Sequence, residues 1–181
     1  MTARLIIPPA ALAVSLEAAR AAARLDGDQA DAELRLAIGM YTEEAEHEMQ
    51  RVLITQTWRV TLDGFSAAIR LPYAPLQSVA HVHFESTSGT LETLDPQDYQ
   101  VDNVSEPGYI VPAPDRAWPA TAARINAVEV QYTAGYGPDE TSVPDAIKGF
   151  ILAKVQEHFA APGTPKSPYL CRLLDRYRVY L

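Results

Sequence analysis

An α+β fold is what this sequence predicts: a helical bundle of two N-terminal and two C-terminal helices, with an antiparallel β-sheet inserted between them. Three observations carry that expectation. Apolar residues recur every three or four positions along the first part of the chain, every second position from Thr55, and at helical spacing again after Gly137. Turn residues (Asp26-Gly27, Asp63-Gly64, Ser88-Gly89 and Gly135-Tyr136-Gly137) fall where a segment ends or the period changes. Prolines gather in the middle, at Pro107, Pro112, Pro114 and Pro119, as expected of an irregular loop at a sheet edge. The boundaries that follow are 1–53 for the N-terminal helices, 54–138 for the β-rich insertion and 139–181 for the C-terminal helices, which complete one composite domain.

Taken in order, the N-terminus has a basic Arg4 and then apolar residues, but two prolines interrupt the run and Glu17 and Arg20 follow. That pattern fits the approach to a helix better than a secretory leader. Ser15 is placed as the N-cap of a first helix over Ser15–Leu25, closed by Asp26-Gly27. Asp28 is expected to cap a longer helix with Asp31 and Glu33 in its first turn, where the helix dipole favours negative charge. Leu34, Ile38, Tyr41, Ala45 and Met49 form its buried stripe, and Glu43, Glu44, Glu46, Glu48 and Arg51 its charged side.

From Thr55, Trp58, Val60 and Leu62 alternate with polar residues up to Asp63-Gly64, and Ile69 and Leu71 follow. Gln56 to Val79 therefore reads as two strands on a turn with a proline-punctuated exit. Ala80, Val82 and Phe84 make one face of a further strand. Tyr99 and Val101, Tyr109 and Val111, and Val128, Val130 and Tyr132 mark three more. Pro144 opens the next helix, whose apolar face is Ile147, Phe150, Ile151 and Val155. After APGTPKSP, a flexible break, the segment YLCRLLDRYRVYL is expected to be helical with Leu170, Leu173, Leu174 and Tyr177 on one side.

At 181 residues the chain is long enough to bury a real core. The formal net charge of −8 argues against general attraction to nucleic acid or anionic lipid. No apolar run approaches the roughly 20 residues a membrane-spanning helix needs. A single cysteine, Cys171, rules out an internal disulfide framework and, among leucines, reads as a buried inert thiol.

Chemistry-bearing patterns are sparse. His81, His83 and Glu85 share one face of a strand, which in principle suits a transition metal, yet outward polar residues on a half-buried strand produce the same alternation and no HExxH or CxxC accompanies it. Neither a metal site nor a cofactor is therefore expected. Asp26-Gly27-Asp28 fails as a calcium loop, because Ala30, Asp31 and Ala37 stand where that loop needs an Asp or Asn, a glycine and a glutamate. Gly135-Tyr136-Gly137 lacks the third glycine of a dinucleotide fingerprint and reads as a turn. No serine sits in a G-x-S-x-G elbow, and no enzymatic activity is expected.

The ordered motifs SLEAAR, LDGD, QTW, LDGF, IRLPYAPLQSV, VQYTAGYG and VPDAIKGFILAKVQEHF run through nearly the whole chain. Together they resemble the head-tail connector (adaptor) family of tailed bacteriophages, prophages and gene transfer agents. Two departures stand out: Met49-Gln50-Arg51 occupies a place where the family often has Thr-Gly-Arg, and the acidic turn lacks a longer family insert. The resemblance implies a non-enzymatic ring subunit, usually one of twelve, bound beneath the portal protein in the neck of a virion or phage-like particle. Such a ring extends the DNA channel toward a stopper or tail protein. It implies that Tyr169, Leu170, Arg172, Leu173, Leu174, Arg176, Tyr177, Val179, Tyr180 and Leu181 meet the portal, unless that segment packs on its own helices instead. It also implies that Glu43, Glu44, Glu46 and Glu48 face a lumen that lets DNA slide without specific binding. A neck stopper or tail-completion protein is the nearest alternative, and a metal-dependent enzyme using His81 and His83 a remoter one.

Overall fold

The computed structural model describes residues 1–179. The chain is α+β and its described residues form two compact units: 1–8 with 56–135, and 9–55 with 136–179.

The first unit holds eight strands: β1 (Thr2–Ile7), β2 (Gln56–Leu62), β3 (Ile69–Arg70), β4 (Leu76–Glu85), β5 (Leu91–Thr93), β6 (Tyr99–Asp102), β7 (Tyr109–Pro112) and β8 (Val128–Ala134). They make a five-stranded sheet in the order β1-β2-β8-β4-β5 and a three-stranded sheet in the order β3-β7-β6, with every pairing antiparallel. Side-chain alternation separates the two faces of the larger sheet. Val60, Val130 and Val82 lie side by side on β2, β8 and β4 and are fully buried, as is Val128 opposite Phe84.

Two expectations are corrected here. The first residues are a strand: β1 pairs with β2 from Thr2↔Thr61 to Ile7↔Thr57, so the segment read as the approach to a helix belongs to the β unit. Pro8 and Pro9 end it, since neither can donate to a ladder. The second correction concerns Asp63-Gly64, which does not close a hairpin between β2 and Ile69–Leu71. β2 lies between β1 and β8, while β3 pairs with β7. The Asp63 carboxylate instead accepts the Asn126 N–H at 2.9 Å, which ties the turn to the loop before β8.

The Leu71–Pro75 connection from β3 to β4 is held from several sides. Leu71 N–H donates to Gly108 O at 2.8 Å and the fully buried Tyr132 donates its hydroxyl to Pro72 O. Tyr73, at φ +69°, stacks on Trp58 with ring centroids 4.0 Å apart. A bulky residue in the left-handed region costs energy, and the stacking with the flanking hydrogen bonds offsets it. Gly108 is required by space: a Cβ there would lie 2.6 Å from Leu76 Cδ2.

The second unit contains α1 (Leu16–Ala23), α2 (Asp31–Met49) and α3 (Asp145–His158). Ser15 caps α1 as expected, accepting the Ala18 N–H at 3.1 Å. Asp28 does not cap α2. Ala30 occupies that position with no side-chain bond, and Asp31 turns aside to bind Arg20 of α1 at 2.6 Å. Leu34, Ile38, Met49, Ile147, Phe150, Ile151 and Val155 are fully buried in one cluster; Tyr41 is only partly buried, with its hydroxyl 3.2 Å from His158 Nδ1.

The expected fourth helix is absent from the described residues. Leu170–Leu173 and Asp175–Tyr177 form two 3-10 turns instead. Leu174 is driven into the cluster between them, and Arg178 returns to extended backbone so that Val179 N–H can reach Met49 O at 2.9 Å. A continuous helix would satisfy the backbone locally and forfeit that tie to α2.

Candidate functional site

The C-terminal segment is built as a strap over the end of α2. Met49 is the last residue of that helix, where carbonyls lack intrahelical partners. Gln50 adopts a left-handed φ of +55°, its N–H and that of Arg51 turn back to His47 O and Glu46 O, and its side chain donates to His47 O at 2.9 Å. Val179 N–H takes the Met49 carbonyl. Arg51, a buried cation, donates from Nε to Tyr177 O and lies 5.9 Å from the Tyr136 ring centre. Arg178 pairs with Glu48 at 2.8 Å.

This placement divides the ten residues assigned to the portal. Leu174 and Val179 are buried within their own unit, and Leu170 and Tyr177 pack against the same cluster. Leu174 and Val179 cannot meet a partner without unpacking the unit, whereas Leu170 and Tyr177 keep part of their surface accessible. Tyr169, Arg172, Leu173 and Arg176 are exposed, with Tyr169 61% accessible and the Arg172 guanidinium 4.7 Å from its ring centre. Tyr180 and Leu181 lie outside the described residues. Cys171 is a free thiol, half-buried rather than fully buried.

The four glutamates do not form one open acidic face. Glu44 binds Lys154 of α3 at 2.6 Å and raises its pKa by that contact. Glu46 accepts the Leu53 N–H at 2.7 Å, and Glu48 holds Arg178. Glu43 is exposed and the other three are half-buried. Three of the four thus also fasten the helical unit, and each keeps part of its surface accessible.

The histidine face of β4 carries a cluster that the sequence showed only in part. The imidazoles of His81 and His83 stack with centroids 4.0 Å apart and planes 20° from parallel. Their carboxylate neighbour is Glu129 of β8, directly opposite His83 in the register and 3.8 Å from His81 Nε2. Glu85, expected to share the face, is drawn to Arg124 at 2.6 Å. One donor atom from each of His81, His83 and Glu129 lies within 4.8 Å of the others. Burial and the neighbouring His83 push the His81 pKa below its ordinary value, which favours the neutral ring. The Arg59 guanidinium lies 3.0 Å from Glu129 Oε1 on the β2 side. Gly135-Tyr136-Gly137 is a turn, as read: a Cβ on Gly137 would fall 2.1 Å from Ser142 Oγ.

No protein-family model matches the sequence, and no curated protein does. Solved structures do. A chain in the virion of a native gene transfer agent particle superposes with a TM-score of 0.81 at 18% identity, over 100% of this chain and 97% of that one. The fold is shared from end to end. A chain in the neck of an empty gene transfer agent particle, computed with C6 symmetry, gives 0.80 at 18% identity, again over 100% and 97%. One in the neck of a native particle, computed with C12 symmetry, gives 0.72 at 19% over the same shares. Among the described residues no helix is long and apolar enough to cross a membrane.

Proposed function

We propose that this chain is a structural subunit of the neck of a phage-like particle: an adaptor that forms a ring of copies beneath the portal and continues the DNA channel. The observation that carries the reading is the likeness in fold over 100% of the chain to proteins of gene transfer agent particles, two of them in necks solved with cyclic symmetry. A likeness covering both units fits a part whose whole shape is its function better than a shared fragment would. The charge agrees: at −8 per copy, a ring is strongly acidic and its channel repels the phosphate backbone, so DNA passes without being held. A stopper one ring lower is the alternative, and the two differ in what they touch.

The exposed Tyr169, Arg172, Leu173 and Arg176 are the portal-facing candidates that the strap leaves available. Truncating the segment would also remove Leu174 from the core, so charge reversal is the cleaner test. We expect the intact chain, mixed with portal rings of its particle, to form an added ring visible by electron microscopy. The double variant R172E/R176E should remain folded and lose that ring. Undiminished ring formation by the double variant removes these residues from the interface. Binding of the intact chain only to a preformed portal–adaptor complex overturns the adaptor assignment in favour of the stopper.

A further inference from the structure

We propose that His81, His83 and Glu129 form a binding site for one divalent transition-metal ion of the zinc, cobalt, nickel or copper class, on the polar face of the five-stranded sheet. The site follows from strand geometry. Residues two apart on a strand project to the same face, so His81 and His83 stand side by side, their rings stacked 4.0 Å apart. Register then supplies the third donor: Glu129 lies across from His83 on the neighbouring strand. The donor atoms fall within 4.8 Å of one another, and a tetrahedral ion with bonds near 2.0–2.2 Å holds its ligands roughly 3.4 Å apart, so modest side-chain rotations close the set.

The donor set selects the ion. Two imidazole nitrogens and one carboxylate suit zinc and its neighbours, whereas magnesium and calcium prefer all-oxygen shells. The platform is packed from behind, because the reverse sides of the two donor strands carry the buried Val82 and Val130. The His81 side chain is 27% accessible and that of Glu129 28%, so the ion has an entry path yet is partly shielded. Arg59 lies 3.0 Å from Glu129 Oε1, beside the cluster. The same oxygen also faces His81 Nε2 at 3.8 Å, so metal binding requires the carboxylate either to release Arg59 or to turn its second oxygen to the ion. Three protein donors leave a fourth position for water.

The test uses the tag-free full chain. Zinc titration followed by calorimetry should show one saturable ion per chain. The chain has four histidines, so proton NMR supplies an internal control. Zinc should shift the imidazole resonances of His81 and His83 and leave those of His47 and His158 in place. The variant H81A/H83A should lose the uptake, and E129Q should weaken it by at least the roughly tenfold that altering even a supporting group costs. No uptake at millimolar zinc, equal uptake by H81A/H83A, or shifts spread over all four histidines each overturns the proposal.

Discussion

At the scale of single residues, the end of α2 shows a local conflict that tertiary contacts overrule. Gln50 sits in the left-handed position that follows a helix, where glycine is favoured because it has no Cβ to clash. Gln50 recovers part of the cost with its side-chain bond to His47 O. Gln50→Gly is therefore expected to stabilise the chain, by about 0.5–2 kcal/mol, the usual range for cap optimisation. Urea denaturation measures it, and a lowered midpoint would mean that the His47 contact outweighs the backbone strain. The histidine face teaches the converse lesson. His81 and His83 were legible as a pair because strand alternation is written in the sequence. Glu129 was not, because its distance of dozens of residues along the chain becomes a cross-strand contact only once register is set.

At the scale of elements, periodicity was a good guide wherever an element is long and one-sided. The buried stripe of α2 and the apolar face of α3 were readable for that reason, and Ser15 marked the start of α1, but α1 ends at Ala23 with a left-handed Arg24 rather than at Asp26-Gly27. β1 was not, because its burial does not alternate and a short run of Leu5, Ile6 and Ile7 suits several states. The Asp63-Gly64 turn misled for a different reason: the dipeptide favours a tight reversal, but β2 already has partners on both sides and the chain must leave the sheet. The C-terminal strap was read as a helix because its leucines have helical spacing. What the spacing could not show is that Leu174 is fully buried in the bundle while Leu173 stays 41% accessible. Leu174→Ala should cost about 2–5 kcal/mol, as other buried leucine truncations do. Denaturant unfolding of the isolated chain decides the matter: an unchanged midpoint, with portal binding lost, would make Leu174 a docking residue after all.

At the scale of the whole molecule, the proposed ring sets like charges beside one another. Each copy carries −8, and the internal pairs of Glu44 with Lys154 and Glu48 with Arg178 use acidic groups without changing that total. Bringing copies together therefore works against a repulsion that reaches a Debye length, about 30 Å at 0.01 M salt and about 8 Å at 0.15 M. Short-range contacts hold a ring together and are little affected by salt, so screening should shift the balance toward assembly. We expect self-association of the purified chain, or its accretion on a portal template, to strengthen as ionic strength rises from about 0.01 to 0.15 M. Sedimentation velocity across that range reads the outcome directly. Dissociation with added salt would reverse the argument, because it would mean that the interface is held by complementary charge, and the exposed Arg172 and Arg176 would then be the first residues to test as its positive side.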